Sequence, residues 1–153
     1  MKIELKKEAK IHIVLLGMLL VILLFSVITY SIKLKGNRRT FIFPSVENGK
    51  LIVETRYLQK NPQKDSITFF IDELLLGSGV ERTKLLFTSG TRLESAFLRK
   101  DILYLNLSDD LMQMGDGVLD IEEGVELLKK NVRINFPKVK TIQIFVNGRF
   151  AFE

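Results

Sequence analysis

The side chains best suited to chemistry are carboxylates that fall in pairs: Asp72-Glu73, Asp109-Asp110, Asp116 with Asp120, and Glu122-Glu123. Two carboxylates facing one bond are what glycoside hydrolysis requires, one as acid and the other as base or nucleophile. The rest of the repertoire is thin. The sequence has no cysteine, which removes disulfides, thiolate nucleophiles and thiolate metal sites. Its single histidine, His12, lies at the edge of an apolar run and reads as an interfacial residue. The chain beyond it therefore has no imidazole base and no imidazole ligand for a transition metal. Carboxylate-bound Ca²⁺ or Mg²⁺ is the one metal chemistry left open. Adjacent carboxylates on a helix are ordinarily its solvated face, so no catalytic, cofactor-binding or metal-binding residue is expected, and the chain is not expected to be an enzyme.

The element that positions everything else is Ile11–Ile32, a stretch of 22 residues without Asp, Glu, Lys or Arg. As a helix it is roughly 33 Å long at ~1.5 Å per residue, which matches a hydrocarbon core of about 30 Å. A helix satisfies every backbone amide within one segment, as lipid demands. Tyr30 sits near the second boundary, where a ring with a polar tip is favoured. Lys10, Lys33, Lys35, Arg38 and Arg39 are expected as flanks against lipid headgroups. The run exceeds the ~7–15 residues of a signal-peptide core, and no small-x-small cleavage signal follows it. The segment reads as an uncleaved signal anchor. The expected organisation is a tail at 1–10, the span at 11–32, a juxtamembrane linker at 33–49 and one domain at 50–153. Four basic residues stand on each flank (Lys2, Lys6, Lys7 and Lys10 against Lys33, Lys35, Arg38 and Arg39), so the positive-inside rule does not orient the chain.

The charge balance is deceptive. The whole chain has 23 basic and 18 acidic residues; residues 1–39 hold eight and two of them, leaving 15 and 16 for residues 40–153. The basicity is juxtamembrane. The domain has no basic excess with which to neutralise phosphates, and nucleic-acid binding is not expected.

Within the domain, Lys50–Gln59 alternates and predicts a strand, with Leu51, Val53 and Tyr57 on the core side and Glu54 and Arg56 on a wet face. Asp65 or Ser66 caps a helix to about Leu76, whose stripe is Ile67, Phe70, Ile71 and Leu74. Thr83–Phe87 predicts a short strand, and Arg92–Arg99 with Ile102–Leu107 a hairpin about Lys100-Asp101. A loop follows. Asp120 with Glu123 resembles a capping box for a second helix, with Ile121, Val125, Leu128 and Val132 on its inner stripe and Glu126–Lys130 paired on the wet side. Thr141–Val146 predicts a last strand ended by Asn147-Gly148. The fold class is α+β: one N-terminal transmembrane helix, then a two-layer sandwich of a mixed sheet with two helices on one face.

These residues resemble the GerMN (sporulation and spore-germination) domain family from about 50 to 148. The first helix closes Glu73-Leu74-Leu75-Leu76-Gly77, similar to the family's Leu-Leu-x-Gly. Gly90-Thr91-Arg92-Leu93 resembles its Gly-Thr-x-Leu, and Leu105-Asn106-Leu107-Ser108-Asp109-Asp110-Leu111 its Val-Asp-Leu-Ser-x-x-Phe. The run from Phe136-Pro137 through Ile144 to Asn147-Gly148 is similar to its closing Phe-Pro-x-Val-x-x-Val-x-Ile-x-Val-Asp-Gly. Ser78, Lys100-Asp101 and Asn147 depart from the family's proline, Asp-Gly and aspartate, all at turns. Leu75, Gly77, Gly90, Leu93, Leu107, Ser108, Pro137, Asn147 and Gly148 each have a structural reading, as core or turn.

The resemblance implies an extracytoplasmic domain on the cytoplasmic membrane, similar to modules that build rings in envelope machines. The expected function is a membrane-anchored interaction module that helps assemble or stabilise a cell-envelope complex. Its partners would be membrane lipid and other envelope proteins, in a ring or large assembly. The alternative is an accessory protein that binds or processes wall glycan. The charged face of the second helix, Glu122, Glu126, Lys129, Lys130 and Arg133, is the expected contact surface. Convergence of the carboxylates and tyrosines in one cleft would favour glycan; scatter would favour protein contacts.

Overall fold

The computed structural model describes residues 2–33 and 36–152, with backbone alone for 2–9 and 31–33. It divides into two units after Gly36. The first is α1 (Lys2–Lys33), a single helix. Within it Lys10–Tyr30 is long and apolar enough to cross a membrane, with a mean hydropathy of 3.0 and none of it buried in the protein. Thr29 folds its hydroxyl back onto the Phe25 and Ser26 carbonyls at 2.9 Å each, which satisfies that hydroxyl within the helix.

The second unit begins with β1 (Asn37–Pro44) and β2 (Leu51–Leu58), an antiparallel pair in unbroken register from Asn37↔Leu58 to Pro44↔Leu51. Residues 37–44 were expected in a linker, on the strength of their turn formers. They form a strand because Phe41 and Phe43 are fully buried in the core. Then come α2 (Ser66–Leu75), β3 (Leu93–Arg99), β4 (Ile102–Leu107), a 3₁₀ turn at Asp109–Met112, α3 (Ile121–Asn135), β5 (Thr141–Val146) and β6 (Arg149–Phe152). Strands β3 to β6 make a mixed four-stranded sheet in chain order, parallel only between β4 and β5, where α3 carries the crossover.

Three expectations change here. The strands divide into two sheets, because the outer edge of β1 is taken by α3: Asn131 and Asn135 exchange hydrogen bonds with the amides and carbonyls of Ile42 and Thr40 at 2.6–3.0 Å. Thr83–Phe87 makes only isolated bridges, Thr83 to Ser45 and Leu85 to Val118, and no strand. Asn147-Gly148, expected to end the last strand, turns it into β6; both residues have positive φ, 51° and 76°, as a two-residue hairpin requires.

The core lies between the helices and the inner sheet faces. Phe70, Ile71 and Leu74 of α2 meet Val125, Leu128 and Val132 of α3 and the alternating Leu103, Leu105, Leu107, Ile142 and Ile144. Asp65 caps α2, accepting from the Ile67 and Thr68 amides at 2.8 and 2.9 Å. Asp120 occupies the corresponding place before α3 but makes no side-chain cap bond, so the expected capping box is not formed.

Candidate interaction surfaces

The carboxylates do not converge. Asp72 is paired with Lys64, Glu73 lies beside Arg56 at 3.8 Å, Asp109 accepts from Asn147 at 3.3 Å, and Asp110 accepts from Ser108 at 3.1 Å. Among the described residues no three of His, Cys, Asp or Glu are grouped to hold a metal ion. Tyr57 is on β2 and Tyr104 on β4, in different sheets.

The β2 faces are reversed from expectation. Leu51, Val53 and Tyr57 are exposed, and Glu54 and Arg56 are half-buried. Arg56 is the cause. It forks onto Glu54 at 2.7 and 3.0 Å, donates to the Gly77 and Glu73 carbonyls at the end of α2, and stacks 4.6 Å over the ring of Phe41. Those are four hydrogen bonds above an aromatic floor, which suits a guanidinium and no aliphatic side chain. The Arg56 hydrogen bond holds the Glu54 pKa below its usual value against the opposing effect of burial, with help from Ser78.

Of the residues expected on the charged surface of α3, Glu122, Glu126, Lys130 and Arg133 are exposed. Lys129 is 4% exposed, not solvated, and it is Lys129 rather than Lys130 that pairs with Glu126, at 2.7 Å. Position 129 adjoins Leu128 on the inner stripe, so its stem is covered while the ammonium reaches out to Glu126. That bond is the main reason the Glu126 carboxyl titrates below its usual range. Glu126, Lys130 and Arg133 rim a groove of about 680 Å³ floored by Leu51, Leu127 and Ile134.

The anchor flanks separate. Lys10 and Arg38 are exposed. Arg39 instead faces inward, contrary to expectation, donating to Asn135 O at 2.8 Å and lying 4.2 Å over the Phe136 ring. Burial lowers its pKa. The Lys33 side chain and Lys35 lie outside the described residues.

The family-motif residues sit at turns and in the core. Leu107 and Ser108 are buried, and Leu75 and Leu93 pack against the core. The Ser108 hydroxyl accepts from the Arg92 amide at 3.1 Å. Gly77 has φ of 89°, a conformation that L side chains rarely adopt, and lies so close to Leu85 that a Cβ would have to displace its terminal methyl. Gly90 packs against Asp110. Pro137 follows the end of α3. Gly148 donates to Asn106 at 2.8 Å.

A surface not anticipated from the sequence crosses the outer face of the four-stranded sheet. Phe97, Tyr104, Phe145 and Phe150, one from each strand, form a row. Phe97 stacks on Tyr104 at 4.6 Å, Tyr104 reaches Phe145 at 6.5 Å, and Phe145 meets Phe150 edge-on at 5.6 Å. Phe97 and Phe150 are 57% and 56% exposed. The signal was present: these rings occupy positions that alternate with the buried Leu103, Leu105 and Ile144. It becomes legible only once register places them side by side.

A mixed sheet with helices on its inner face and open aromatic rings on its outer face defines an α+β module. The sequence model of the Germane family, described as sporulation and spore germination, matches residues 41–151, and the chain belongs to that family. The fold is similar to the tandem GerMN domains of the sporulation protein GerM from Bacillus subtilis (TM-score 0.62, 14% identity, covering 76% of this chain and 41% of that one). It is also similar to the first GerMN domain of that protein alone (TM-score 0.57, 13% identity, covering 73% and 85%). The chain thus spans less than half of the tandem structure. No curated protein matches it.

Proposed function

We propose that the chain is a membrane-anchored, extracytoplasmic interaction module, without enzymatic activity of its own, that helps assemble or stabilise a cell-envelope protein complex associated with sporulation. The observation that carries this reading is the aromatic row on the open sheet face. Exposed aromatic rings in contiguous array are the composition of interface cores rather than of solvated surface. The scatter of the carboxylates supports it, since Asp72, Glu73, Asp109 and Asp110 have separate structural partners instead of a shared bond to act on. The family and its GerM relatives support the association with sporulation. The apolar helix supports the tether, and confinement to the membrane raises effective concentration, so that weak contacts suffice.

Glycan binding is less well supported. Sugar stacking needs ring faces turned to solvent, whereas Phe97 and Tyr104 lie within 8° of parallel and turn faces to each other.

The test is crosslinked co-purification of the full chain from membranes. Phe97→Ser with Phe150→Ser should reduce recovery of partners at least tenfold, while amide replacement of any single paired carboxylate should leave it unchanged. Protease added to spheroplasts should digest the domain and spare residues 1–10. If one carboxylate-to-amide change abolishes the cellular role while partners are still recovered, the wall-enzyme reading takes its place.

A further inference from the structure

The two edges of the small sheet are treated differently. The outer edge of β1 is occupied from Thr40 onward: Thr40 and Ile42 by the α3 asparagines, the Pro44 carbonyl by Lys84 N at 2.8 Å, and, just beyond the strand, the Val46 amide by Arg82 O at 2.9 Å. Even-numbered residues of β1 thus direct their amides outward, and odd-numbered ones bond β2. By the register, Ile52, Glu54 and Arg56 of β2 face β1, and Val53, Thr55 and Tyr57 direct theirs away. Among the described residues no hydrogen bond meets those outward groups.

The edge carries charge only at Glu54 and Arg56, which bond each other on the inner side. Natural edges are blunted by Pro, Lys, bulges or shortness. β2 has none within Leu51–Leu58, while β3 is broken by an irregularity between Leu93 and Ser95, and β6 is four residues long.

We propose that β2 pairs antiparallel with β2 of a second copy of this chain about a two-fold axis at Thr55. Only outward residues can form the hydrogen-bonded pairs, so the axis lies either at an outward residue or at the inward residue between two of them. Axes at Thr55 and at Glu54 give equally long overlaps, but the one at Glu54 sets that carboxylate against its own copy, whereas Thr55 sets Val53 against Tyr57 and Glu54 against Arg56 in both directions. An aromatic ring then meets a β-branched side chain, and the Glu54–Arg56 fork of each copy lies beside that of the other with no like charges opposite. The pairing rests on the reading of the domain as an interaction module and names a second copy as one partner. It is read without any other envelope protein, so the two ideas fail separately.

The chain has no cysteine, so single cysteines report the register in intact membranes. Across a hydrogen-bonded pair Cα atoms lie about 5.5 Å apart, within disulfide reach. Thr55→Cys in the full chain should give a disulfide-linked dimer under mild oxidation. Val53→Cys alone should not, because its own counterpart lies roughly 14 Å away, but co-expressed Val53→Cys and Tyr57→Cys chains should link to each other. Val53→Lys in the Thr55→Cys chain should cut the linked fraction about tenfold, with thermal unfolding unchanged because Val53 is exposed. The pairing is overturned if Thr55→Cys links no more than Ser95→Cys on the β3 edge, if Val53→Cys links to itself as readily, or if the product is a disulfide to a different protein.

Discussion

Asp65 shows what a single residue contributes and how far it is legible. Its two oxygens accept from the Ile67 and Thr68 amides and from the Thr68 hydroxyl at 2.6 Å. Burial alone would raise its pKa, but these bonds together outweigh it and hold the carboxyl below its usual 3.8. A folded pKa below the unfolded one means the cap contributes fully above about pH 4 and is lost as pH falls through the folded value. Asp65→Ala should cost about 1 kcal/mol at neutral pH. Asp65→Asn keeps an acceptor and should cost less, with a flatter dependence of stability on acid, both measured by urea unfolding between pH 2 and 7. This cap was readable because it depends only on neighbours three residues away. The burial of Arg56 was not, because its partners are a helix end and an aromatic floor brought in from elsewhere. Lys129 was misread for a related reason: helical periodicity gives a direction, but how much of a long side chain is covered depends on the element packed beside it.

At the scale of elements, α3 substitutes for a strand. Asn131 and Asn135 are one helical repeat apart, a rise of about 6 Å, against about 6.8 Å between Thr40 and Ile42 along a strand. The near-match lets two side-chain amides pair the edge of β1 as a neighbouring strand would. Asn131 is fully buried and also donates to Leu127 O at 2.9 Å. Asn131→Leu keeps the branched shape but strands the Ile42 amide and carbonyl, and should cost roughly 2–5 kcal/mol, since each buried unsatisfied group costs about 1–3. Gly124 fixes the other end of the helix, where a Cβ would fall within contact distance of the Leu86 carbonyl and the Phe87 ring. Gly124→Ala should therefore destabilise by roughly 1–3 kcal/mol, although alanine is the better helix former by ~1; a stabilised variant in thermal unfolding would show that the 85–87 segment yields. Helices and the β3–β4 hairpin were legible because their periodicity is local. β1 was not, because Gly36-Asn37 and Pro44 bracket it with turn signals, and what holds it as a strand, the burial of Phe41 and Phe43 and the asparagines some ninety residues on, is not local. β6 was overlooked although Asn147-Gly148 is a strong hairpin signal; its four residues are too short to show alternation.

For the whole molecule the boundary of the folding unit is the sharpest consequence. From the turn formers of residues 33–49 the domain is expected to begin at residue 50. In the structure the unit begins at Asn37, and the family match begins at Phe41. The difference is energetic. Phe41 and Phe43 are both fully buried, and Phe41 stacks 4.7 Å from Phe70, which in turn meets Phe136 at 5.4 Å. This aromatic file joins the small sheet to both helices, and removing two buried phenylalanines costs on the order of 3–5 kcal/mol each. Total stabilities of domains this size are only about 5–15 kcal/mol. A fragment of residues 37–153 should therefore unfold cooperatively in urea, and a fragment of residues 50–153 should not, exposing apolar surface that binds a hydrophobic dye. The second fragment would also release Asn131 and Asn135 from their partners and leave both edges of β2 open. It should aggregate at concentrations where the longer fragment stays soluble. Equal cooperativity in the two fragments would return residues 37–49 to the role of a linker and would remove the β1–β2 pair from the core.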